Sequence, residues 1–342
     1  MAPASVRDMI DPKRVGPHPS YIEIAQPYIF QSTIQKSLAA AGMSEGKDDS
    51  IRLQGVAWID SVRKALQLTY DTACVYYHKF RLRHPDGNGY IDAAAAALFA
   101  ACKIEDTLKK SKEILCAAHN LKLLPAEQLT PDDSLFETHS KTITGLERLM
   151  LEAAGFDFRT CCPQELLIKV VKLHLGDRML VSQTAYNISL DLYRTYVPLK
   201  QATSTMVLAC LELAGRLLDR AKEVIGSEPN YEGLKTSREE VMETLLDLLD
   251  LYTHHQNSTL VGPQHALETF IGIRIALNQE ASTKGATKPG LKEGTVRFML
   301  DPQRAAEEEK TVAEFFKVEE EEYEVEVKIE RKVEDAREKR RP

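Results

Sequence analysis

The sequence contains little of what several large protein classes require. It has one tryptophan and 17 glycines among 342 residues, which argues against a β-barrel or β-sandwich rich in short strands and tight turns. No run approaches the ~20 consecutive apolar residues of a membrane-spanning helix, so we expect no membrane partner. The first residues lack the apolar core of a secretory signal, and we therefore expect a protein that is not secreted.

The chain also lacks the motifs of common enzymes. It has no glycine-rich phosphate loop, no HRD or DFG kinase signature, no GxSxG nucleophile elbow and no HExxH zinc motif. Its six cysteines include no CxxC pair, and its nine histidines show no metal-ligand spacing. Asp132 and Asp133 follow Pro131, where helix capping explains them better than metal binding. We therefore predict no catalytic residue, no cofactor and no bound metal.

Negative charge is concentrated near the C-terminus. The formal net charge is −7, but residues 307–326 alone carry ten glutamates against Lys310 and Lys317. The remainder of the chain is therefore close to neutral, which argues against a direct nucleic-acid partner. High charge with few apolar residues predicts a disordered tail from residue 283 to the end.

Hydrophobic periodicity predicts a succession of helices along the middle of the chain. Apolar residues recur at steps of three and four, which is the spacing of one helix face. Asp48, Asp49 and Ser50 are favoured N-cap residues and predict a helix that begins just after them. Gly155 occupies a favoured C-terminal capping position. The predicted helices cover residues 34–41, 51–66, 72–83, 91–102, 109–121, 134–154, 163–175, 177–196, 201–220, 237–254 and 263–281.

Two sets of these helices resemble each other. A shift of 113 residues places Leu98–Lys103 on Leu211–Arg216, and the same shift places Phe80 on Tyr193. Two matches at one offset, each on the equivalent helix, indicate a tandem duplication. We therefore predict an all-α protein with two tandem five-helix domains, a flanking arm and a charged C-terminal tail. The predicted boundaries are 1–50 for the N-terminal arm, 51–160 and 161–282 for the two domains, and 283–342 for the tail.

The first predicted domain carries the residues of a known family. The segment Ala97–Thr107 resembles the third helix of the cyclin box, and Leu146–Phe158 resembles its fifth helix and the exit from it. Arg52 and Trp58 match positions of the first helix in many cyclins. The resemblance covers roughly residues 51–280 and is strongest in the first domain. It implies tandem cyclin folds.

Within that family, the sequence is most similar to the transcriptional branch, cyclins K, T, L and C. Thr107–Leu115 and Ala214–Arg216 carry this likeness. The size and the short tail resemble the cyclin subunits of fungal kinases for the RNA polymerase II carboxy-terminal domain. The resemblance implies a nuclear regulatory subunit, with an additional cytoplasmic pool left open, that binds and activates a cyclin-dependent kinase. The substrate of that complex would be the polymerase tail, and a third regulatory subunit is also left open.

The resemblance assigns roles to individual residues. Lys103 and Glu147 match a pair that hydrogen-bonds the main chain of the kinase beside its mobile regulatory helix. A lysine donates to carbonyl oxygens and a carboxylate accepts from amides, so such a pair can hold main chain of any sequence. Arg52, Trp58 and His78 have structural roles, and Arg52 is expected to bond toward the helix that carries His78. The implied kinase-binding residues are Lys103, Ile104, Glu105, Glu147, Leu151 and Phe158.

Other interpretations stay open. Taken singly, Lys103 is a solvated lysine at a helix end. Glu147 is then an exposed carboxylate beside Arg148 or Lys141. A general transcription factor of the IIB type also has two such domains, although its cysteine-rich zinc ribbon is missing here, since no cysteine precedes Cys74. A non-catalytic helical adaptor without a kinase partner is the third alternative, and copurification distinguishes the three.

Overall fold

A computed structural model describes residues 28–29, 31–67, 69–85, 89–159, 162–174, 179–221, 231–234 and 236–283. Over these ranges the chain forms α-helices and short 3-10 turns and no strand, which confirms the all-α prediction. Most of the predicted N-terminal arm and the tail predicted to be disordered lie outside the described residues. No helix in the described ranges is long and apolar enough to cross a membrane.

Twelve α-helices follow one another in the described part of the chain. They are α1 Gln31–Ala40, α2 Glu45–Leu66, α3 Asp71–Arg83, α4 Tyr90–Ile104, α5 Ser111–Asn120, α6 Leu135–Ala153, α7 Pro163–His174, α8 Met179–Asp191, α9 Val197–Lys200, α10 Thr203–Leu217, α11 Arg238–His254 and α12 Leu267–Thr283. Short 3-10 helices lie at Pro125–Glu127, Leu192–Arg194, Glu232–Leu234, Gln256–Ser258 and Gly262–Gln264.

The start of α2 differs from the predicted one. The helix begins at Glu45, after its N-cap residue Ser44, so Asp48 and Asp49 lie inside it and do not cap it. Asp48 is buried, and its carboxylate accepts a hydrogen bond from Arg52 at 2.7 Å. Residues that resemble a cap in the sequence therefore serve as ion partners within the helix.

Several helices in the second half are shorter than predicted, among them the one predicted at 201–220, which is Thr203–Leu217. The helix predicted at 177–196 ends at Asp191, and a 3-10 turn follows it. The buried carboxylate of Asp191 accepts hydrogen bonds at 2.9 to 3.1 Å from the backbone amides of Leu260 and Val261. These bonds hold an irregular segment in place, and α12 begins only at Leu267.

The helix α4 lies at the centre of the first five-helix set, which comprises α2 to α6. It contacts the other four helices of the set, and Ala93–Cys102 are all buried. Alanine side chains are small on every side, so neighbouring helices pack closely around them. Large buried side chains of α3, among them Tyr76, Tyr77 and Phe80, fill the surrounding core.

The second five-helix set comprises α7, α8, α10, α11 and α12 and has a hydrophobic core of its own. Its central helix α10 lies at the same 113-residue shift from α4 that the sequence match gives. Both helices are followed by an aspartate in the left-handed conformation, Asp106 with φ 56° and Asp219 with φ 54°. The repeated helix and exit support a duplication, while the domain boundaries at 50, 160 and 282 stay a prediction.

The short helix α9 lies between α8 and α10 and carries a buried lysine. The side chain of Lys200 is 3% exposed, and its ammonium lies 2.7 Å from the carboxylate of Glu243 and 2.5 Å from that of Asp247, both on α11. It also donates to the side-chain oxygen of Gln31 on α1 at 2.9 Å. Because an unpaired buried ammonium is costly, these bonds hold α1 and α9 against the second set.

Candidate functional site

The two residues predicted to act as a pair lie in contact. Lys103 is in the last turn of α4 and Glu147 is on α6, and the ammonium lies 2.7 Å from one carboxylate oxygen and 2.8 Å from the other. The side chain of Lys103 is 47% exposed and that of Glu147 is 15% exposed. An ion pair this exposed contributes only about 0–1 kcal/mol. The two charges can therefore open toward a partner at little cost.

Apolar side chains belong to the same two helices and to their exits. Ile104 and Leu151 are half-buried and pack against the core of the first set. Phe158 is 51% exposed beyond the end of α6. Phe156 is 55% exposed and has φ 53°, a backbone conformation that is unusual for a bulky residue. Phe156 is not among the residues predicted from the sequence, although an aromatic residue directly after the capping Gly155 is a signal for an exposed ring at this exit.

Glu105 holds the exit of α4 to another helix of the same set. Its carboxylate accepts a hydrogen bond from the hydroxyl of Thr72, on α3, at 2.6 Å. Glu105 is half-buried, unlike the exposed Lys103 two residues earlier. Glu105, which is predicted to contact the kinase, therefore forms a hydrogen bond within its own domain, to α3.

The exit of α6 is also bonded to α3. The hydroxyl of Tyr76 donates to the backbone carbonyl of Asp157 at 2.8 Å. Burial raises the pKa of Tyr76 to about 12, so its hydroxyl keeps its proton at neutral pH. The carboxylate of Asp157 pairs with Arg159 at 2.8 Å, and this bond lowers the pKa of Asp157. Asp157, the residue between Phe156 and Phe158, is thus held through its backbone by Tyr76 and through its side chain by Arg159.

Arg52 is one of three residues predicted to be structural, and its hydrogen-bond partners differ from the predicted ones. It donates to the backbone carbonyl of Arg194, in the segment after α8, at 3.0 Å. Its other bonds run to Asp48 at 2.7 Å and to Asp49. The expected direction was toward the helix that carries His78, but these bonds stay on α2 or join it to the segment that follows α8.

His78 and Trp58 have different surroundings. The ring nitrogen Nε2 of His78 lies 2.8 Å from the backbone carbonyl of Tyr193, and since a carbonyl only accepts, Nε2 carries the proton. Burial lowers the pKa of His78 to about 3, so the ring is neutral at physiological pH. Trp58 is half-buried and packs against the core of the first set. Arg52 and His78 of the first set therefore both bond to the segment between α8 and α10 of the second set.

The second set has its own charged group at the position equivalent to Lys103. Arg216 of α10 lies 2.8 Å from Glu212 and 3.8 Å from Glu280 of α12. Arg238 of α11 contacts the same two carboxylates, at 2.6 Å and 2.8 Å. Two arginines and two glutamates thus form one network where the first set has a single pair.

Metal-binding and thiol chemistry find no support in the described part of the chain. It holds no group of three or more His, Cys, Asp or Glu side chains placed to bind a metal. Four cysteines are buried, and burial raises the pKa of each thiol above its ordinary value. They are Cys74, Cys102, Cys116 and Cys210.

Comparisons with known proteins identify relatives over much of the chain. The chain is 29% identical over 276 residues to the CTD kinase subunit beta of Schizosaccharomyces pombe, which is 78% of this chain and 79% of that protein. It is 27% identical over 241 residues to human cyclin-K, which is 66% of this chain but only 40% of the length of cyclin-K. A scan against models of protein families found no match.

A solved structure has the same fold. One chain of the crystal structure of the yeast RNA Pol II CTD kinase CTDK-1 complex superposes with a TM-score of 0.63 and 19% identity, covering 76% of this chain and 86% of that one. The tandem five-helix arrangement of this chain is therefore that of two cyclin folds, as the resemblance implied. Over most of its length the chain is therefore similar to a CTD kinase subunit beta and to cyclin-K, and its fold is that of a tandem cyclin.

Proposed function

We propose that this chain is the activating cyclin subunit of a cyclin-dependent kinase that phosphorylates the carboxy-terminal domain of RNA polymerase II. It is a regulatory subunit, and the kinase subunit supplies the catalytic residues. The names of the relatives, CTD kinase subunit beta and cyclin-K, support this function and a role in the nucleus. The observation that carries the proposal is the exposed Lys103–Glu147 pair between α4 and α6.

The pair acts on the main chain of the kinase. A cyclin-dependent kinase alone leaves its regulatory helix swung out, which separates the catalytic lysine from its glutamate partner. Lys103 donates to carbonyl oxygens beside that helix and Glu147 accepts from amides. A cyclin that binds the inward position better than the outward one shifts the kinase population toward the active state. Activation is therefore a difference in affinity between two kinase states.

Apolar contacts provide most of the affinity. Ile104 and Leu151 present half-buried surface beside the pair, and Phe156 and Phe158 present exposed rings beyond α6. Buried aromatic and aliphatic anchors dominate the energy of most protein interfaces. The charged pair sets the register of the kinase helix, and the apolar side chains hold it.

The experiment is copurification of the tagged full chain, followed by a kinase assay on a peptide of the polymerase tail. In the variant Lys103→Ala with Glu147→Ala, we expect kinase binding to fall at least tenfold, because both side chains that bond the kinase main chain are removed. The fold should stay intact, because the pair itself contributes little to stability. The matched control is Arg148→Ala with Glu152→Ala, which removes another ion pair of α6, with a 2.8 Å contact. Wild-type binding and activation by the Lys103 and Glu147 variant would show that the assigned site is wrong.

The same copurification decides between the alternatives. A kinase in the purified complex supports the cyclin function, and mass spectrometry of that complex shows whether a third subunit is present. Promoter-DNA factors without a kinase would instead indicate a factor of the IIB type. A complex that contains neither would indicate a helical adaptor.

A further inference from the structure

One face of α3 contacts both exits that carry the proposed kinase-binding residues. Thr72 and Tyr76 lie four residues apart, so their side chains project from the same side of the helix. The hydroxyl of Thr72 donates to the carboxylate of Glu105 at 2.6 Å, just after α4. The hydroxyl of Tyr76 donates to the carbonyl of Asp157 at 2.8 Å, just after α6. Two hydroxyls one turn apart thus tie two loops to one helix.

The backbone of both exits is of a kind that needs such support. Asp106, after α4, and Phe156, after α6, both have a positive φ, 56° and 53°. Non-glycine residues in this conformation carry a conformational cost and persist only where surrounding bonds hold them. Thr72 and Tyr76 are fully buried at 0% exposure; the bond from Tyr76 to Asp157 is buried, and the bond from Thr72 to Glu105 is partly buried. The two exits are therefore held from inside the domain.

We propose that Thr72 and Tyr76 are positioning residues that set the geometry of the kinase-binding surface without touching the kinase. Thr72, through Glu105, fixes the end of α4 that carries Lys103. Tyr76, through the carbonyl of Asp157, fixes the two exposed phenylalanines beyond α6. This inference rests on the proposed function, and it changes the role of Glu105 from kinase contact to internal anchor.

Filling the core does not require the hydroxyl of Tyr76, because a phenylalanine ring would occupy nearly the same volume. The neighbouring Tyr77 makes the comparison possible. It is equally buried at 0% exposure, and its hydroxyl donates to the carbonyl of Ile51 on α2 at 3.1 Å. Two adjacent tyrosines therefore make the same type of bond, one to the proposed interface and one away from it.

The experiment compares Tyr76→Phe with Tyr77→Phe in the full chain. Hydrogen–deuterium exchange is measured at the amides of Phe156 and Asp157, which bond to carbonyls at the end of α6 at 3.0 and 3.3 Å. We expect exchange at these amides to rise about fivefold in Tyr76→Phe, the effect of one lost hydrogen bond. In Tyr77→Phe we expect no change there, although both variants lose one hydrogen bond from a tyrosine hydroxyl to a backbone carbonyl.

The second measurement uses the kinase subunit that copurifies with the tagged chain, purified separately. The concentration of Tyr76→Phe that gives half-maximal kinase activity should rise about fivefold with the same maximal rate, because positioning changes affinity and not the activated state. Tyr77→Phe should match the wild type. A parallel series at Thr72 should show the loss in Thr72→Val and its rescue in Thr72→Ser, which keeps the hydroxyl.

Each result has a definite meaning. Equal effects of the two tyrosine variants, or faster exchange without weaker activation, would overturn the positioning role. Full kinase binding by the Lys103→Ala, Glu147→Ala variant would overturn the proposed site instead. The hydrogen–deuterium exchange measurement needs no kinase. Failure of the positioning role can therefore be distinguished from failure of the proposed kinase-binding site.

Discussion

The two cyclin folds of this chain share one architecture but differ in how they treat the same charged position. In the first fold, Lys103 pairs with Glu147 at the surface, and the lysine side chain is 47% exposed. In the second, the side chain of Arg216 is 24% exposed and lies in a network with Glu212, which is 4% exposed, and Glu280, which is 28% exposed. The difference lies in the availability of the charges to a partner protein.

The physical reason is the cost of opening each arrangement. An exposed pair between single side chains exchanges partners readily, since water stabilises the separated charges. An arginine that bonds two carboxylates at once is held by charge-assisted bonds, and removing it leaves buried charge uncompensated. In the proposed function the first fold presents its pair to the kinase, whereas the second fold uses the corresponding charges to hold its own helices together.

The largest expected effect is on the stability of the second fold. Arg238→Met should lower the free energy of unfolding by about 3 kcal/mol, since it removes a partner of the buried carboxylate of Glu212. Lys103→Met, at the exposed pair of the first fold, should change it by less than about 1 kcal/mol. Chemical denaturation of both variants measures the contrast, and equal losses would remove the distinction between the two folds.

The next effect concerns the junction of the folds and its dependence on pH. His78 is kept neutral by burial, with a pKa lowered from 6.5 to about 3, so the unfolded chain binds a proton that the folded chain does not. The stability due to the neutral ring is present above pH 6.5 and is lost as pH falls, by about 1.4 kcal/mol per pH unit.

The matched variant for this prediction is His78→Gln, whose side-chain amide can still donate to the carbonyl of Tyr193 without titrating. Unfolding free energies of both proteins are measured between pH 7 and pH 4.5. As the pH is lowered, we expect the unfolding free energy of the wild type to fall more steeply than that of the variant, by about 1.4 kcal/mol per pH unit. Parallel curves would mean that His78 titrates alike in both states, and that the junction is not the acid-sensitive part.

A smaller effect on stability is expected at glycines, which differ in how closely a neighbouring helix packs against them. A Cβ atom at Gly55 of α2 would overlap the ring of Tyr77, whereas at Gly145 of α6 and Gly272 of α12 it would meet nothing within 4 Å. Gly55→Ala should destabilise the chain by about 2 kcal/mol through overpacking. Gly145→Ala and Gly272→Ala should stabilise it by about 0.5–1 kcal/mol, because alanine favours helix. Thermal unfolding of the three variants gives the order, and a stable Gly55→Ala would show that α2 and α3 can move apart.

Much of the fold could be predicted because a helix is indicated by the spacing of apolar residues that are close together in the sequence. The stripe after residue 50, the alanine-rich α4 and the 113-residue repeat each depend on neighbours within a few turns or on self-similarity. Errors occurred where a distant group decides the local structure. Asp48 resembles a cap but lies inside α2, where its carboxylate accepts a hydrogen bond from the hydroxyl of Tyr196 at 2.9 Å. Asp191 ends α8 and accepts hydrogen bonds from the backbone amides of Leu260 and Val261.

The sequence by itself determined the helices, their duplication, the cyclin resemblance and the candidate pair Lys103 and Glu147. Only the tertiary structure decided which groups meet. Arg52 bonds the carbonyl of Arg194, 142 residues away, and Glu280 reaches the network of Arg216 from another helix. The reason is that periodicity reports which face of a helix is buried, whereas charge partners depend on how helices pack against one another. The same sequence pattern therefore gives an available pair in one fold and an internal network in the other.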